Sequence, residues 1–495
     1  MTQRTLLQFF HWYMPDGGKL WNEVAGKAGS LASMGITDIW LPPAYKGAAG
    51  SSSVGYDTYD LFDLGEFDQK GSVATKYGDR ASFENACNAL QTSGIRAIHD
   101  VVFNHKMGAD EQETVKVRRV NADDRTQIED EEFEALAYTR FTFPGRQGQY
   151  SKFVWDKQCF SGVDVIEQPD QTGVFKLVNE YGEGQWNEQV DDEFGNFDYL
   201  MGADVEFRNN AVYQELKYWG RWLNEQVPVG GFRLDAAKHI PAWFFRDWVG
   251  HMRDSVSQDL FVVAEYWHPD MQALGSYLEL VDKQLMLFDV ALHHNFHDAS
   301  KQGEDYDMSR IFDGALVASM PDHAVTLVDN HDTQPLQSLE ATVDPWFKPL
   351  AYALILLREQ GVPCVFYPDL FGASYRDTGD DGNDQDVDMP VIECLRKLVE
   401  ARSRFAHGPQ TDYLDHPSCI AFVRHGTADM PGCVVVMSNG EAGEKQVDLG
   451  AGAAGVSFRD YLRHHDGDII VGDDGKASFP VRGGSVCVWV RADAL

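Results

Sequence analysis

GGFRLDAAKH (residues 230–239) opens on two glycines, as a buried strand can, and then places Arg233, Asp235, Lys238 and His239 close together. An unpaired charge taken out of water is costly, so these groups must be paired, metal-bound or set at a solvated strand end. On its own the segment is equally well read as an ordinary Arg–Asp ion pair. The rest of the chain decides.

Seven other short runs share its β-branched and aromatic character: LLQFF (6–10), ITDIWLP (36–42), IRAIHDVVF (95–103), FVVAEYW (261–267), LMLFDVAL (285–292), AVTLVDNHDT (324–333) and GVPCVFYPDL (361–370). Spacers long enough for helices separate them, and parallel neighbours need such crossovers. Closure into an eight-stranded (β/α)8 barrel, an α/β fold of TIM type, is the expected architecture. One interval breaks the rhythm. Between the third and fourth runs the chain is rich in Gly, Asp, Trp and Phe, with YSKFVWDKQCF (150–160) and TGVFKLV (172–178) as candidate strands of an inserted β-rich subdomain. Beyond about residue 404 helix periodicity stops, and CIAFVRH, CVVVMSNG, EKQVDLG and SVCVWVRA predict a C-terminal antiparallel β-sandwich. The expected division is 1–104 with 205–403 for the barrel, 105–204 for the insertion and 404–495 for the sandwich.

Bulk properties narrow the function. A formal charge of −35 over 495 residues disfavours nucleic acid and anionic membranes, whose attraction rests on Lys and Arg. No apolar run reaches the roughly 18 residues that span a bilayer. Seven cysteines, scattered and odd in number, argue against a full disulfide framework. MTQRTLLQFFHWYMPDGG at the N-terminus lacks a small-residue cleavage pattern. A monomer is expected, either cytoplasmic or a secreted mature form whose signal peptide has been removed.

Four of the runs end alike: Asp100, Asn104 and His105; Arg233, Asp235 and His239; Glu265 and His268; Asp329, His331 and Asp332. In an α/β barrel the C-terminal strand ends converge on one mouth, where catalytic groups sit. Asp235, Glu265 and Asp332, in surroundings rich in Tyr and Trp, suit glycoside cleavage, which needs two carboxyl groups flanking the scissile bond. Arg233 points to the same strand face as Asp235 and is expected to hold it ionised, whereas Ala264 and Tyr266 are expected to keep Glu265 protonated. Asp235 is therefore assigned as nucleophile, Glu265 as general acid/base and Asp332 as the third acid.

DVVFNH (100–105), GFRLDAAKH (231–239), VVAEYW (262–267) and LVDNHDT (327–333), in that order, resemble the four motifs of the α-amylase family of glycoside hydrolases. FFHWYMPDGG (9–18), VGYDTYDLFDLGEF (54–67), GNFDYLMGADVEF (195–207) and GVPCVFYPDLFG (361–372) extend the likeness, most closely to liquefying-type bacterial and intracellular members. The resemblance implies an endo-acting, retaining hydrolase of α-1,4-glucans such as starch, glycogen and maltodextrins. It implies that His105 and His331 bond the sugar in the cleavage subsite, that Tyr56 stacks on it, and that Asp100 supports the nucleophile. Lys238, His239 and Trp267 would line the leaving-group side. His11, Trp12 and Trp267 fit core packing as well as substrate contact.

The same resemblance implies a structural Ca²⁺ held by Asn104, Asp198, Asp204 and the main-chain oxygen of His239. Liquefying relatives carry a second acid-rich metal cluster, for which Asp164 and Glu206 are candidates, but here Asn187 and Arg208 stand where acids are expected, and Arg208 is expected to pair with an acid instead. Asp412, Asp429 and the acidic run TGDDGNDQDVD (378–388) are read as solvated surface. Transglycosylation or exo-action on the same barrel is the nearest alternative function; a non-catalytic glucan-binding protein is the more distant one.

Overall fold

A computed structural model describes residues 3–379 and 381–495. All eight predicted runs are strands of one closed parallel barrel. They are β1 (Leu6–Gln8), β2 (Asp38–Leu41), β3 (Arg96–Val101), β4 (Gly231–Leu234), β5 (Phe261–Ala264), β6 (Met286–Phe288), β7 (Ala324–Leu327) and β8 (Val362–Phe366). Each is paired to its chain neighbour, and β1 closes the ring on β8. Register does the first functional work: Arg233 of β4 lies level with Asp100 of β3 and with Val263 of β5.

The paired glycines of β4 now have a physical reason. A Cβ on Gly231 would sit 2.1 Å from the carbonyl oxygen of Phe261, so only glycine lets β4 approach β5 this closely. Behind the strand, the helix Ala242–Ser255 seals the barrel with Trp248, fully buried at 5.3 Å from Phe103 and 4.9 Å from Phe232 between ring centroids. The Trp248 indole donates to the Leu216 carbonyl at 3.1 Å, which ties two outer helices together.

Between β3 and β4 the chain builds a six-stranded antiparallel sheet in the order His105–Lys106, Ala203–Val205, Phe160–Ile166, Gln171–Leu177, Glu111–Val120, Phe133–Arg140. TGVFKLV is one of these strands, but YSKFVWDKQCF is not. Trp155 makes only an isolated bridge to Phe141, and Asp156 accepts from the Gln158 amide to cap a short 3-10 turn; the strand starts at Phe160. The long hairpin of Glu111–Val120 with Phe133–Arg140 escaped sequence reading because its charged side chains, EQETVKVRRV, mask the alternation that buries only Val115, Val117 and Val120.

The C-terminal part is antiparallel throughout: a six-stranded sheet, Gln410–Tyr413 to Asp468–Ile470, and a two-stranded sheet of Gly443–Asp448 with Lys476–Val481. Val434, Val436, Phe479 and Trp489 fill the space between them. Two surface expectations need correction. Asp412 is not simply solvated; Arg358 forks onto both its oxygens at 2.7 and 2.9 Å at the junction with the barrel. The acidic run is not a loop either: apart from Asp380, which lies outside the described residues, much of it belongs to a hairpin of Ala373–Thr378 with Asp384–Met389. Arg376 offsets Asp386 across that ladder. Asp429 is exposed as expected, and all seven cysteines are buried and free.

Replacing Trp248 by Ala should cost about 3–5 kcal/mol of stability through the cavity left behind β3 and β4. Urea denaturation with activity as a second probe measures it; a loss under about 1 kcal/mol would mean that this helix does not brace the strand carrying Arg233 and Asp235.

Candidate active site

The site is organised by one guanidinium. Arg233, 1% exposed, donates from Nη1 to Asp100 Oδ1 at 2.8 Å and to Asp235 Oδ1 at 2.5 Å, and from Nη2 to Glu265 Oε2 at 2.7 Å. Three strand ends are thereby stapled together. Directly after Asp235 the backbone turns through Ala236 in the left-handed region (φ 51°), which aims the Ala236 amide at Glu265 Oε2, 3.2 Å away. Asp100 sits behind, its side chain closed to solvent, while the side chains of Asp235, Glu265 and Asp332 keep 10%, 12% and 17% exposure. Three acids thus share an accessible gap and the fourth supports them.

Asp332 joins from the loop after β7. Its Oδ2 lies 3.3 Å from His331 Nε2, and its own amide donates to Asn330 Oδ1 at 2.8 Å. Burial first, then the Glu265 charge, pushes the Asp332 carboxyl up to about 8. Asp235 and Asp100 are also raised, burial outweighing Arg233. That reverses the expectation that Arg233 holds Asp235 below the usual carboxylate range: one guanidinium shared among several buried acids cannot offset their desolvation and mutual repulsion. The apolar setting expected for Glu265 is likewise replaced by two donors, Arg233 and the Ala236 amide.

Aromatic rings floor the gap. Tyr56 stacks on His331 with centroids 5.0 Å apart and on Trp12 at 5.7 Å, the latter nearly parallel at 4°. The Tyr56 hydroxyl donates to Asp100 Oδ2 at 2.8 Å. Trp40, which sequence reading did not single out, donates its indole proton to the same oxygen at 2.9 Å; β2 ends in an apolar DIWLP and carries no ionisable signal. His331 is held neutral by burial and by Arg233, and its buried Nδ1 has no hydrogen-bond partner. His105 turns Nε2 to the Tyr56 carbonyl at 2.8 Å, spending that nitrogen on the main chain.

On the other flank, Lys238 pairs with Glu193 at 2.6 Å and lies over the Phe197 ring. His239 Nδ1 meets the Phe197 carbonyl at 2.8 Å, and burial lowers this imidazole to about 3. Trp267 stands 5.8 Å from His293. Tyr266, expected to give Glu265 an aromatic setting, donates to Asp191 Oδ2 at 2.5 Å.

Beside the site, Asn104, Asp198, Asp204 and Glu206 are all buried to within 1% exposure. Asn104 Nδ2 reaches Asp204 Oδ1 at 3.2 Å, and the Asn187 amide and side chain both donate to Asp198 Oδ2. Burial and mutual repulsion raise Asp204, and raise Asp198 to about 7. Asn104 Oδ1, Asn187 Oδ1 and Asp198 Oδ1 are buried with no partner. Orphaned hard oxygens beside destabilised carboxylates fit a hard cation. No group of three His, Cys, Asp or Glu side chains in metal-holding geometry occurs among the described residues, so the donor set would be mixed carboxylate and amide. Of the candidates for a second metal, Glu206 is the acid that Arg208 pairs with, as expected: Arg208 donates to both its oxygens at 2.6 Å. Asp164 accepts from the Gly202 amide at 3.0 Å instead.

Known proteins resemble this chain over most or all of its length. The family description "Alpha amylase, catalytic domain" matches residues 18–393. "Cytoplasmic alpha-amylase" of Escherichia coli (strain K12) is 59% identical over 496 residues, covering 100% of both chains. "Glucan 1,4-alpha-maltohexaosidase" of Bacillus sp. (strain 707) is 43% identical, covering 99% of this chain and 93% of that one. Among solved structures an Anoxybacillus alpha-amylase superposes with a TM-score of 0.64 at 17% identity, covering 99% of this chain and 98% of that one, a likeness of fold. With the four motifs at one barrel mouth and a full-length relative at 59% identity, the chain belongs to the alpha-amylase family.

Proposed function

We propose that the protein is an endo-acting, retaining α-amylase that hydrolyses α-1,4-glucosidic bonds in starch, glycogen and maltodextrins. The observation that carries this is the bonding of Asp235 and Glu265 to one guanidinium, with Asp332 against the same gap. Two carboxyls so close suit the retaining arrangement, in which they stand about 5–5.5 Å apart.

Asp235 attacks the anomeric carbon while the bond to the leaving oxygen breaks and Glu265 delivers a proton to that oxygen. Water then attacks the glycosyl ester, Glu265 takes the water's proton, and Asp235 is released. Burial raises the proton affinities of Asp235, Asp100 and Asp332, so the cluster as a whole retains a proton near neutrality. The ionised members of the cluster stabilise the positive charge of the oxocarbenium-like transition state, and Asp332 offers its carboxyl to the sugar hydroxyls. Tyr56 supplies an apolar face for the sugar.

Asn104, Asp198, Asp204 and the main-chain oxygen of His239 would hold Ca²⁺, whose contribution is structural: it neutralises buried carboxylates where the inserted sheet meets β3 and β4. Division into a barrel (1–104, 205–403), an insertion (105–204) and a sandwich (404–495) is supported by the separate hydrogen bonding of the closed barrel, the six-stranded inserted sheet and the C-terminal sheets. A cytoplasmic location is supported by the printed name of the Escherichia coli relative and by seven free thiols.

Asp235→Asn, Glu265→Gln and Asp332→Asn should each lower starch cleavage by about 10²–10⁴-fold or more while the circular dichroism spectrum is kept; turnover near that of the parent in any of them refutes the assigned role. The same Asp332→Asn change should stabilise the fold. Because folding raises the Asp332 carboxyl from 3.8 to about 8, the native state binds the extra proton between those values and stability falls as pH rises through that window. The variant should therefore gain on the order of 1–2 kcal/mol near pH 8 and almost nothing near pH 4, as read by denaturant titration at both pH values. Chelation should lower the melting temperature, and added Ca²⁺ should restore it; in Asp204→Asn the response should shrink. An identical melting curve with and without chelator counts against the ion.

A further inference from the structure

The hairpin Ala373–Thr378/Asp384–Met389 follows β8 at the mouth of the barrel, and its first strand alternates: Ala373, Tyr375 and Asp377 are partly covered, Ser374, Arg376 and Thr378 are exposed. The covered face lands on Tyr13, from the loop after β1. Tyr13 and Tyr375 stack with centroids 4.0 Å apart and planes at 15°, and Tyr375 also stacks on His11. The Tyr13 hydroxyl donates to Asp377 Oδ2 at 2.7 Å and accepts from Gln337 Nε2 at 2.7 Å, with the Leu336 carbonyl 3.1 Å away. Tyr375 donates to the Pro335 carbonyl at 2.8 Å.

Three segments therefore converge on one phenol: the loop after β1, the loop that follows Asp332, and the hairpin. Leu336 adopts φ 67°, a left-handed conformation that bulky residues avoid, where its carbonyl meets Tyr13. For all this fixing, Tyr13 remains half-exposed. Next to it Trp12 is half-exposed too, parallel to Tyr56, with its amide on Gln334 Oε1 at 3.0 Å. Trp12, Tyr56 and His331 thus stack as one group, with Tyr13 next along the chain. The family resemblance gives Lys238 and Trp267 to the leaving-group side, which leaves this group to the glycone side.

We infer that Tyr13, locked in place by Tyr375 and Asp377 of the hairpin, is a stacking platform for the glycone part of an α-glucan chain, beyond the sugar over Tyr56, and sets which bond of a bound chain is cut. The inference rests on the glucan-hydrolase function proposed above. A carbohydrate presents apolar C–H faces that aromatic rings take up, and a ring already immobilised by its own hydrogen bonds loses little freedom on binding. Tyr13 acts as a specificity residue and Tyr375 and Asp377 as positioning residues.

The test is the distribution of first cuts in reducing-end-labelled maltooctaose, for the full-length protein and for Tyr13→Ala, Tyr13→Phe and Tyr375→Ala. Such ratios come from within one digest, so a variant recovered in low yield still reports them. In Tyr13→Ala the preference of the parent for particular bonds should flatten by about five- to tenfold, and Tyr375→Ala should shift it in the same direction. Tyr13→Phe, which keeps the ring, should retain the parent pattern. An unchanged distribution in Tyr13→Ala overturns the platform, as does a Phe variant that behaves like the Ala variant. A parent protein that leaves maltooctaose uncut would overturn the hydrolase function itself and the platform with it.

Discussion

Arg233 carries a fixed positive charge in a barrel interior that offers it almost no water, and Asp100, Asp235 and Glu265 share its nitrogens. Breaking a buried pair by removing one partner typically costs about 3–5 kcal/mol, because the other charge is left uncompensated. Here the debt is distributed over three strands, so the guanidinium fixes the relative positions of β3, β4 and β5 as well as the acids on them. Everything that makes the site reactive follows from this ratio of one cation to several carboxyls. A matched set would be inert and fully ionised, whereas an excess of buried acids holds protons that can move.

Cations and carboxylates are balanced by the same logic outside the gap. Lys348 bridges Asp329 and Asp369 at 2.7 and 2.5 Å, and the Tyr352 hydroxyl adds a second bond to Asp369. Asp329 lies two residues before His331, and its Oδ1 accepts from the Val343 amide, so this buried set anchors both ends of the loop that presents His331 and Asp332. Just beyond the inserted sheet the balance is struck differently. Arg208 covers Glu206 completely, and its Nη2 donates to the Gln185 carbonyl at 2.9 Å. A side-chain cation with fixed fork geometry takes up part of the local charge, leaving Asp198 and Asp204 as the carboxylates that still lack one.

Much of this was legible before any coordinates, for a physical reason. Parallel barrel strands are buried on both faces and read as dense apolar runs, and their polar C-terminal residues stand out against that background; hence all eight strands and the four chemically loaded ends were recoverable. Less legible were features whose signal lies in neighbours distant along the chain. Trp40 completes the Asp100 shell from an apolar strand end. The acidic segment around Asp384–Met389 has loop-like composition, yet it pairs because Ala373–Thr378 offers it a partner strand. Proton affinities were misjudged most. The pair Arg233–Asp235 predicts a depressed carboxyl when read alone, and only the arrival of Asp100, Glu265 and Asp332 from other strands, all desolvated together, reverses the sign.

That reversal bears on how one scaffold separates catalysis from recognition. The acids must be crowded and strained toward protonation, so the elements carrying them are clamped by buried ion pairs with little latitude to vary. Recognition of a long, neutral, flexible polymer asks for the opposite: exposed rings that tolerate sliding and are tuned by their backing. Tyr13 meets that requirement because its lock, from Gln337, Asp377 and Tyr375, lies on a loop and a hairpin outside the clamped core, and its hydrogen bonds go to no catalytic carboxyl. The hairpin after β8 can therefore alter how a chain is registered while Arg233 continues to determine what happens to the bond placed over it.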